Sequence, residues 1–175
     1  MQTRVRWVYN FSVGKNKKII FFSKISSAIP LFKNKKTILV GGCFDIFHYG
    51  HFNFLSQAKK EGDFLVVALE SDEFIKRKKQ RQPIHSQKQR AEILSALVFV
   101  DLVILLPYFS KDKDYFNLVN EIKPKILAVT AGDPQMNNKR KQAEAINAKL
   151  KVVTPFIKNF SSSKIYKFYE VFFSD

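Results

Sequence analysis

The stretch GGCFDIFHYGH, residues 41–51, decides how this chain of 175 residues folds. The run TILV at residues 37–40 precedes it and is typical of a buried parallel strand. A helical pattern follows over residues 49–61, and Gly62 stops it. The stretch therefore connects a strand to a helix through a tight, glycine-containing turn.

Short β-type runs alternate with helical patterns along the rest of the chain. The predicted strands are residues 37–40, 64–69, 102–106, 126–130 and 150–153, and the predicted helices are residues 49–61, 86–96, 115–122, 134–148 and 161–173. This alternation predicts an α/β fold, a Rossmann-like doubly wound five-stranded parallel sheet with helices on both faces. Such sheets bind ligands beyond the carboxyl ends of their strands, where the strand order switches. Residues 41–51 fall at that edge.

The net charge of +15 is unevenly distributed along the chain. Residues 1–36 contain nine Lys or Arg and no acidic residue, whereas residues 37–175 contain 21 basic and 15 acidic residues. We therefore divide the chain into a basic N-terminal extension of unknown role, residues 1–36, and one domain, residues 37–175. The single cysteine, Cys43, excludes an internal disulfide and a multi-cysteine metal site. A cytoplasmic protein with no membrane span is expected, since one cysteine suits a reducing compartment and no apolar run reaches eighteen residues.

Two histidines, His48 and His51, open the first helix at a spacing of three residues. That spacing places both imidazoles on one face of the first turn. The N–H groups and the dipole of a helix N-terminus favour a phosphate there, and histidines add donors that follow charge developing on a phosphoryl group. Gly50 between them leaves space for a nucleotide. A lone HxxH pair is more often a core or metal-binding feature, but the run GGxFDxxHxGH between strand and helix is specific.

On these residues the chain resembles the HxGH-containing nucleotidyltransferases of cytidylyltransferase-like fold. They include glycerol-3-phosphate cytidylyltransferase, heptose-phosphate adenylyltransferase and the archaeal type of FMN adenylyltransferase. The resemblance runs from residue 37 to about residue 167. It continues, in the family's order, through GDFLVVALESDEF at 62–74, PIHSQKQRAEIL at 83–94 and FSSSKI at 160–165.

The resemblance implies the roles of individual residues. His48 and His51 would contact the nucleotide phosphates and stabilise the transition state. Lys78 would belong to a mobile basic loop, residues 76–81, that closes over the phosphates; the alternative is a solvated charge run. Arg90 would hold a substrate phosphate or shape the loop, with a surface salt bridge as the alternative. The nucleotide-binding set is Gly42, Cys43, Phe44, Asp45, Gly50, Asp133, Ser161, Ser162 and Ser163.

Several members of that set have ordinary structural alternatives. Asp45 lies beside the phosphates or caps the turn, and Cys43 is a small buried side chain rather than a nucleophile. The serines cap a helix in either interpretation. Asp133, in the sequence TAGDP, stands where the family has an acidic nucleotide-contacting loop. No residue is predicted as a metal ligand.

The resemblance also implies the reaction. A nucleoside monophosphate would pass from CTP or ATP to a small phosphorylated acceptor, such as glycerol phosphate or a sugar phosphate, with release of pyrophosphate. Mg²⁺ would accompany the triphosphate, held by phosphate oxygens and water, and a homodimer is expected from the resemblance alone. The stretches SDEF and HSxxxR slightly favour cytidylyl transfer.

The alternative is adenylyl transfer to heptose phosphate or FMN. KRKKQRQPI is like the heptose-phosphate type. The cytidylyltransferase run RTxGISTT is replaced by TPFIKNFSSSKI, in which Lys158 is the nearby cation, and this departure weighs against CTP. The heptose-phosphate and FMN adenylyltransferases usually carry GG(D) or GYD after the fourth strand, where this chain has TAGDP, so neither subgroup is matched in full.

Two rival classes share some of these features. An aminoacyl-tRNA synthetase module has the HxGH element, but it would need a KMSKS-like loop and a longer chain. A non-catalytic RNA- or membrane-binding protein could use the basic extension through counterion release, yet no base-reading motif is present. Nucleic acid is therefore not an expected partner.

Overall fold

The computed structural model describes residues 17–155 and 165–166. Within them the chain forms six strands and six α-helices. The strands are β1 (Ile19–Phe21), β2 (Thr37–Gly42), β3 (Phe64–Leu69), β4 (Leu102–Leu105), β5 (Ile126–Thr130) and β6 (Lys149–Thr154). The helices are α1 (Ile25–Ala28), α2 (Tyr49–Lys59), α3 (Asp72–Lys79), α4 (Gln87–Ser95), α5 (Asp112–Ile122) and α6 (Met136–Ala145). Ser161, Ser162 and Ser163 lie outside the described residues, as does most of the helix expected over residues 161–173.

The strands form one parallel sheet in the order β1-β4-β3-β2-β5-β6. From β2 the chain builds outward through β3 to β4, and then returns to place β5 on the other side of β2. The switch in strand order therefore lies between β2 and β5, where Leu39 pairs with Leu127. Ligands of such sheets bind beyond the carboxyl ends of the strands at that point.

The predicted fold class is confirmed, with six strands where the sequence predicted five. The additional strand, β1, pairs with β4 at the edge of the sheet. It is three residues long and lies within a basic segment that has no clean hydrophobic period, so sequence patterning gave no signal for it. Ile19, Ile25 and Phe32 are buried. Part of the basic N-terminal segment is therefore built into the sheet.

Helices cover both faces of the sheet, and each face has its own apolar core. The central strand β3 is buried along its whole length, as continuous apolar runs in parallel sheets require. On one face, α2 and α4 contribute Leu55, Ala58, Ala91 and Leu94. On the other, α1, α5 and α6 contribute Ile25, Ala28, Leu118, Val119, Ile122 and Ala143.

The prediction of a mobile loop over residues 76–81 is wrong for residues 76–79, because these residues form the last turn of α3. The Ser71 hydroxyl caps this helix by accepting from the Phe74 N–H at 3.1 Å. Acidic residues in its first turn and four basic residues in its last turn suit the helix dipole. The helix has one buried residue, Ile75, so the sequence showed too little apolar periodicity to reveal it.

Candidate active site

The loop between β2 and α2 has an unusual backbone. Phe44 and Ile46 have φ angles of 48° and 52°, in the left-handed region that a β-branched residue rarely adopts. Each such residue costs on the order of 1–3 kcal/mol and persists only where its surroundings hold it. A Cβ on Gly42 would come within 3.0 Å of the Phe44 ring, so glycine leaves room for that ring. This loop is held in place by other side chains.

Asp45 is the first of these supports, lying between the two strained residues with 1% of its surface exposed. Its carboxylate accepts hydrogen bonds from Arg81 Nη1 at 2.5 Å, from the His85 N–H at 3.1 Å and from the Ile84 N–H at 3.3 Å. Burial alone would raise the pKa of Asp45, but these donors outweigh it and hold the pKa below its usual value. Asp45 therefore fixes the loop as a buried anion.

Arg90 is the second support and is fully buried. Its guanidinium donates to the Cys43 carbonyl at 2.5 Å, to the His85 carbonyl at 3.1 Å and to Asp72 Oδ1 at 2.7 Å. Arg90 thus forms an ion pair, as its structural alternative expected, but the Arg90 side chain is buried and only Asp72 is partly exposed. These contacts favour the role of shaping the loop over that of holding a substrate phosphate.

His48 and His51 lie together at the start of α2. His48 is the N-cap, and its Nδ1 accepts from the His51 N–H at 3.4 Å. The two imidazole rings stack with centroids 3.8 Å apart, and Phe44 packs edge-on against His51 at 5.2 Å. Gly50 lies between them in the first helical turn. The spacing of three thus places both rings on one face.

Both imidazoles are neutral near pH 7. Burial lowers the pKa of His48. Burial also lowers the pKa of His51, together with its neighbour His48, to about 3. Since the Nδ1 of His48 accepts a hydrogen bond, its proton resides on Nε2, which is available as a donor. His51 Nδ1 is buried and has no partner among the described residues. The pair therefore offers neutral hydrogen-bond donors rather than cations.

A cavity of about 520 Å³ opens beyond the carboxyl ends of β2, β3 and β5. Small-molecule sites are typically roughly 300–1,000 Å³. Four of the residues predicted from the sequence line it: Gly42, Cys43, Lys78 and Asp133. Gly42 and Cys43, which lead from β2 into the histidine loop, connect the cavity to that loop. The other predicted residues of the described chain do not line the cavity: Phe44, Asp45, His48, Gly50, His51 and Arg90.

Among the lining residues, the Asp133 carboxylate is held by two hydrogen bonds and Cys43 is a protonated thiol. Asp133 accepts from Lys139 Nζ and from the Gln135 N–H, both at 2.7 Å, at the entrance to α6. Burial raises the pKa of the Cys43 thiol to about 11. The thiol is therefore protonated at neutral pH and is no nucleophile.

Other residues of the site are identified by the structure and not by their sequence pattern. Arg81, at the end of the basic run, pairs with Asp45 and lies 4.7 Å from the Tyr166 ring. Gln87 donates to the carbonyls of Leu69 and Leu106, which joins the ends of β3 and β4. Glu70 lines the cavity and accepts from the Tyr115 hydroxyl. The run PIHSQKQR signalled a site segment, but no periodicity distinguished its members.

Two classes of feature are absent from the part of the chain that the structure describes. No helix there is long and apolar enough to cross a membrane. Among the same residues, no group of three or more His, Cys, Asp or Glu could hold a metal ion.

The fold and site together define a nucleotidyltransferase-type Rossmann-like domain, with the strand–loop–helix of residues 37–59 next to the strand-order switch. The cytidylyltransferase-like family model matches residues 39–168. The chain belongs to the cytidylyltransferase-like family.

Two groups of relatives stand out by sequence. The bifunctional protein HldE of Campylobacter jejuni is 37% identical over 155 residues, covering 85% of this chain and 32% of that protein. The FAD synthase of Thermococcus kodakarensis is 40% identical over 114 residues, covering 65% of this chain and 73% of that protein. The chain thus spans about a third of the length of the HldE protein.

Structures of other proteins share the fold. A lipopolysaccharide core biosynthesis protein from Thermoplasma volcanium is 28% identical, with a TM-score of 0.56, and the match covers 71% of this chain and 98% of that one. The pantoate–β-alanine ligase of Francisella tularensis, 19% identical with a TM-score of 0.60 over 87% of this chain and 78% of its own, shows the fold alone.

Proposed function

We propose that this protein transfers AMP from ATP to the phosphate of a small phosphorylated acceptor and releases pyrophosphate. One observation carries the proposal: two stacked, neutral imidazoles stand at the N-terminus of α2, beside a strained loop at the switch in strand order. A helix N-terminus with added N–H donors suits a triphosphate.

The reaction is an in-line displacement at the α-phosphorus. An oxygen of the acceptor phosphate forms a bond to that phosphorus, and the bond from phosphorus to the bridging oxygen of the β-phosphate breaks. The electron pair of that bond leaves with pyrophosphate. Such transfers need positioning and charge stabilisation more than covalent chemistry. Mg²⁺ enters as part of the substrate, MgATP, held by phosphate oxygens and water.

His48 and His51 would stabilise the charge that develops on the phosphoryl oxygens. Fixed neutral donors become stronger partners as the oxygen charge grows, so they act on the transition state more than on the ground state. Asp45 and Arg90 would act as positioning residues, since they hold the loop rather than face the cavity. Lys78, which lines the cavity, would meet a substrate phosphate.

ATP is the proposed donor, in place of the slight preference for CTP that the sequence indicated. FAD synthase makes FAD, which is FMN carrying an AMP group, and the chain covers 73% of that relative. The departure from the RTxGISTT run of the cytidylyltransferases supports the same choice. Asp133, Ser161, Ser162 and Ser163 are the proposed nucleotide contacts outside the histidine loop.

The acceptor is proposed to be a sugar phosphate or FMN. The HldE relatives, the FAD synthase and the lipopolysaccharide core biosynthesis protein support these two choices.

A substrate screen tests the proposal. ATP and CTP are each combined with heptose phosphate, FMN and glycerol phosphate, and pyrophosphate release is measured. We expect release with ATP and one of the first two acceptors, and less with CTP. Release with CTP and glycerol phosphate alone would overturn the choice of base and acceptor. An absence of acceptor-dependent pyrophosphate in every combination would overturn the proposed activity.

A further inference from the structure

Glu70 is a buried carboxylate with an unused hydrogen-bond acceptor. It follows β3, is 7% exposed and lines the cavity. One oxygen, Oε1, accepts from the Tyr115 hydroxyl at 3.0 Å. The other, Oε2, is buried without a partner among the described residues. Leaving such an oxygen unpaired is costly, because burial removes its water without supplying a donor.

A purely structural role does not account for Glu70. Asp45, which is also buried, has three donors and a lowered pKa. Burial instead raises the pKa of Glu70 to about 7. The fold thus positions Glu70 through Tyr115 but leaves its second oxygen without a donor among the described residues, on a residue that lines the cavity.

The lining of the cavity around Glu70 is chemically mixed. It includes the buried apolar residues Leu39, Leu127 and Phe109. Four lysines on or next to α3, α5 and α6 also line it, and Lys78 and Lys79 at the end of α3 are exposed. A molecule that carries both a phosphate and a compact body with apolar surface matches this mixture.

We propose that Glu70 Oε2 accepts a hydrogen bond from an O–H or N–H group on the acceptor, at the end away from its phosphate. Glu70, held by Tyr115, therefore selects phosphorylated acceptors that carry such a donor over those that lack it. A sugar hydroxyl and the imide N–H of a flavin share this chemistry. The inference rests on the proposed function, because it assigns the cavity to the acceptor.

Direct binding in the absence of ATP tests the inference separately from turnover. Titration calorimetry measures the affinity of FMN and of heptose phosphate for the wild-type protein, for Glu70→Leu and for Glu70→Gln. Exposed Glu144 on α6 gives the matched control Glu144→Gln. We expect one acceptor to bind the wild type and the control, and to bind both Glu70 variants about ten- to a hundredfold more weakly. Tyr115→Phe should weaken binding less, since it only positions the carboxylate.

Analogues without the donor identify the contact. For FMN the analogue is methylated at its imide nitrogen, and for heptose phosphate a set of monodeoxy analogues removes one hydroxyl at a time. The wild type should discriminate against one analogue about ten- to a hundredfold, and Glu70→Leu should not. An unchanged affinity in both Glu70 variants, equal discrimination in Glu70→Leu, or no binding of either acceptor to the wild type would overturn the inference. A failure of pyrophosphate release alongside normal discrimination would count against the proposed transfer and leave the binding role standing.

Discussion

Buried ionisable side chains are fully paired in the histidine loop and incompletely paired in the cavity. In the histidine loop, Asp45 and Arg90 use their polar atoms on backbone groups and on Arg81 or Asp72. In the cavity, by contrast, Glu70 Oε2 has no hydrogen-bond partner among the described residues, and exposed lysines are part of the lining.

This difference in pairing suggests that the histidine loop serves the chemical step and that the cavity serves the choice of acceptor. A reaction that depends on transition-state charge needs donors fixed before the substrate arrives, and the paired loop supplies that rigidity. Choice of acceptor needs polar groups that only the correct ligand can satisfy, and Glu70 is the group proposed for that role. Variants in the first region should therefore change turnover and folding, and variants in the second should change acceptor affinity.

The largest expected effect is on turnover when a histidine is removed. His48→Ala and His51→Ala should each lower kcat by about 10²–10³, as for other donors to a developing oxyanion. Steady-state kinetics with ATP and the acceptor measure the loss, and thermal unfolding checks that each variant is folded. Unchanged turnover in a folded variant would remove the histidines from the mechanism.

Replacing Arg90 should lower the free energy of unfolding, because Arg90 holds the histidine loop in place. Arg90→Met leaves two partly buried carbonyls and Asp72 without their donor, at a cost of about 2–4 kcal/mol. Urea unfolding measures the loss, with Arg140→Met on the exposed face of α6 as a control expected to change stability by less than about 0.5 kcal/mol. A variant as stable as the control would mean that the loop does not depend on Arg90.

The pH dependence of stability should have opposite signs in the two regions. The folded-state pKa of His51 is lowered to about 3, so below pH 6.5 the unfolded state binds more protons and stability falls as the pH falls. The pKa of Glu70 is raised to about 7, so its contribution to stability is present below pH 4.5 and is lost as the pH rises through 7. Each slope reaches at most about 1.4 kcal/mol per pH unit.

Single variants separate these two slopes. From pH 7 to pH 5, His51→Asn should gain stability relative to wild type, and Glu70→Gln should lose stability relative to wild type. Urea unfolding at both pH values measures each difference. The same pH dependence in all three proteins would refute the two pKa shifts.

The smallest effect is expected from removing residues 1–16, which should leave pyrophosphate release unchanged. Removing residues 1–36 should instead unfold the protein, because it deletes β1 and the buried Ile25 and Phe32. Circular dichroism and the pyrophosphate assay report both outcomes. Loss of activity in a folded protein lacking only residues 1–16 would favour a function that uses the basic extension.

The sequence revealed the parts of the molecule in which local pattern and structure agree. Strands β2 to β6 are apolar runs bounded by turn residues, and the run of residues 41–51 fixes both a strand end and a helix start. Asp45 and Arg90 belonged to recognisable motifs, but their partners, except the His85 carbonyl that binds Arg90, lie 18 to 47 positions away along the chain. Spacing therefore pointed to the residues and not to their hydrogen bonds.

Other features had no local signal. β1 is short and depends on pairing with β4, more than eighty residues later. α3 buries a single residue, so its sequence pattern predicts a loop at its basic end. Glu70 sits in the ordinary context LESDE, and its importance comes from Tyr115 on a distant helix and from the cavity between them. These features exist only in the folded chain.

Transfer of the α-phosphoryl group is the central claim, and the fate of an α-phosphate label tests it most directly. ATP labelled at the α-phosphate is incubated with Mg²⁺ and the acceptor that binds, and the products are separated. We predict that the label moves to the acceptor, with one pyrophosphate for each labelled product, and that His51→Ala abolishes most of this transfer. Labelled ADP, or labelled AMP with no conjugate of the acceptor, would contradict nucleotidyl transfer.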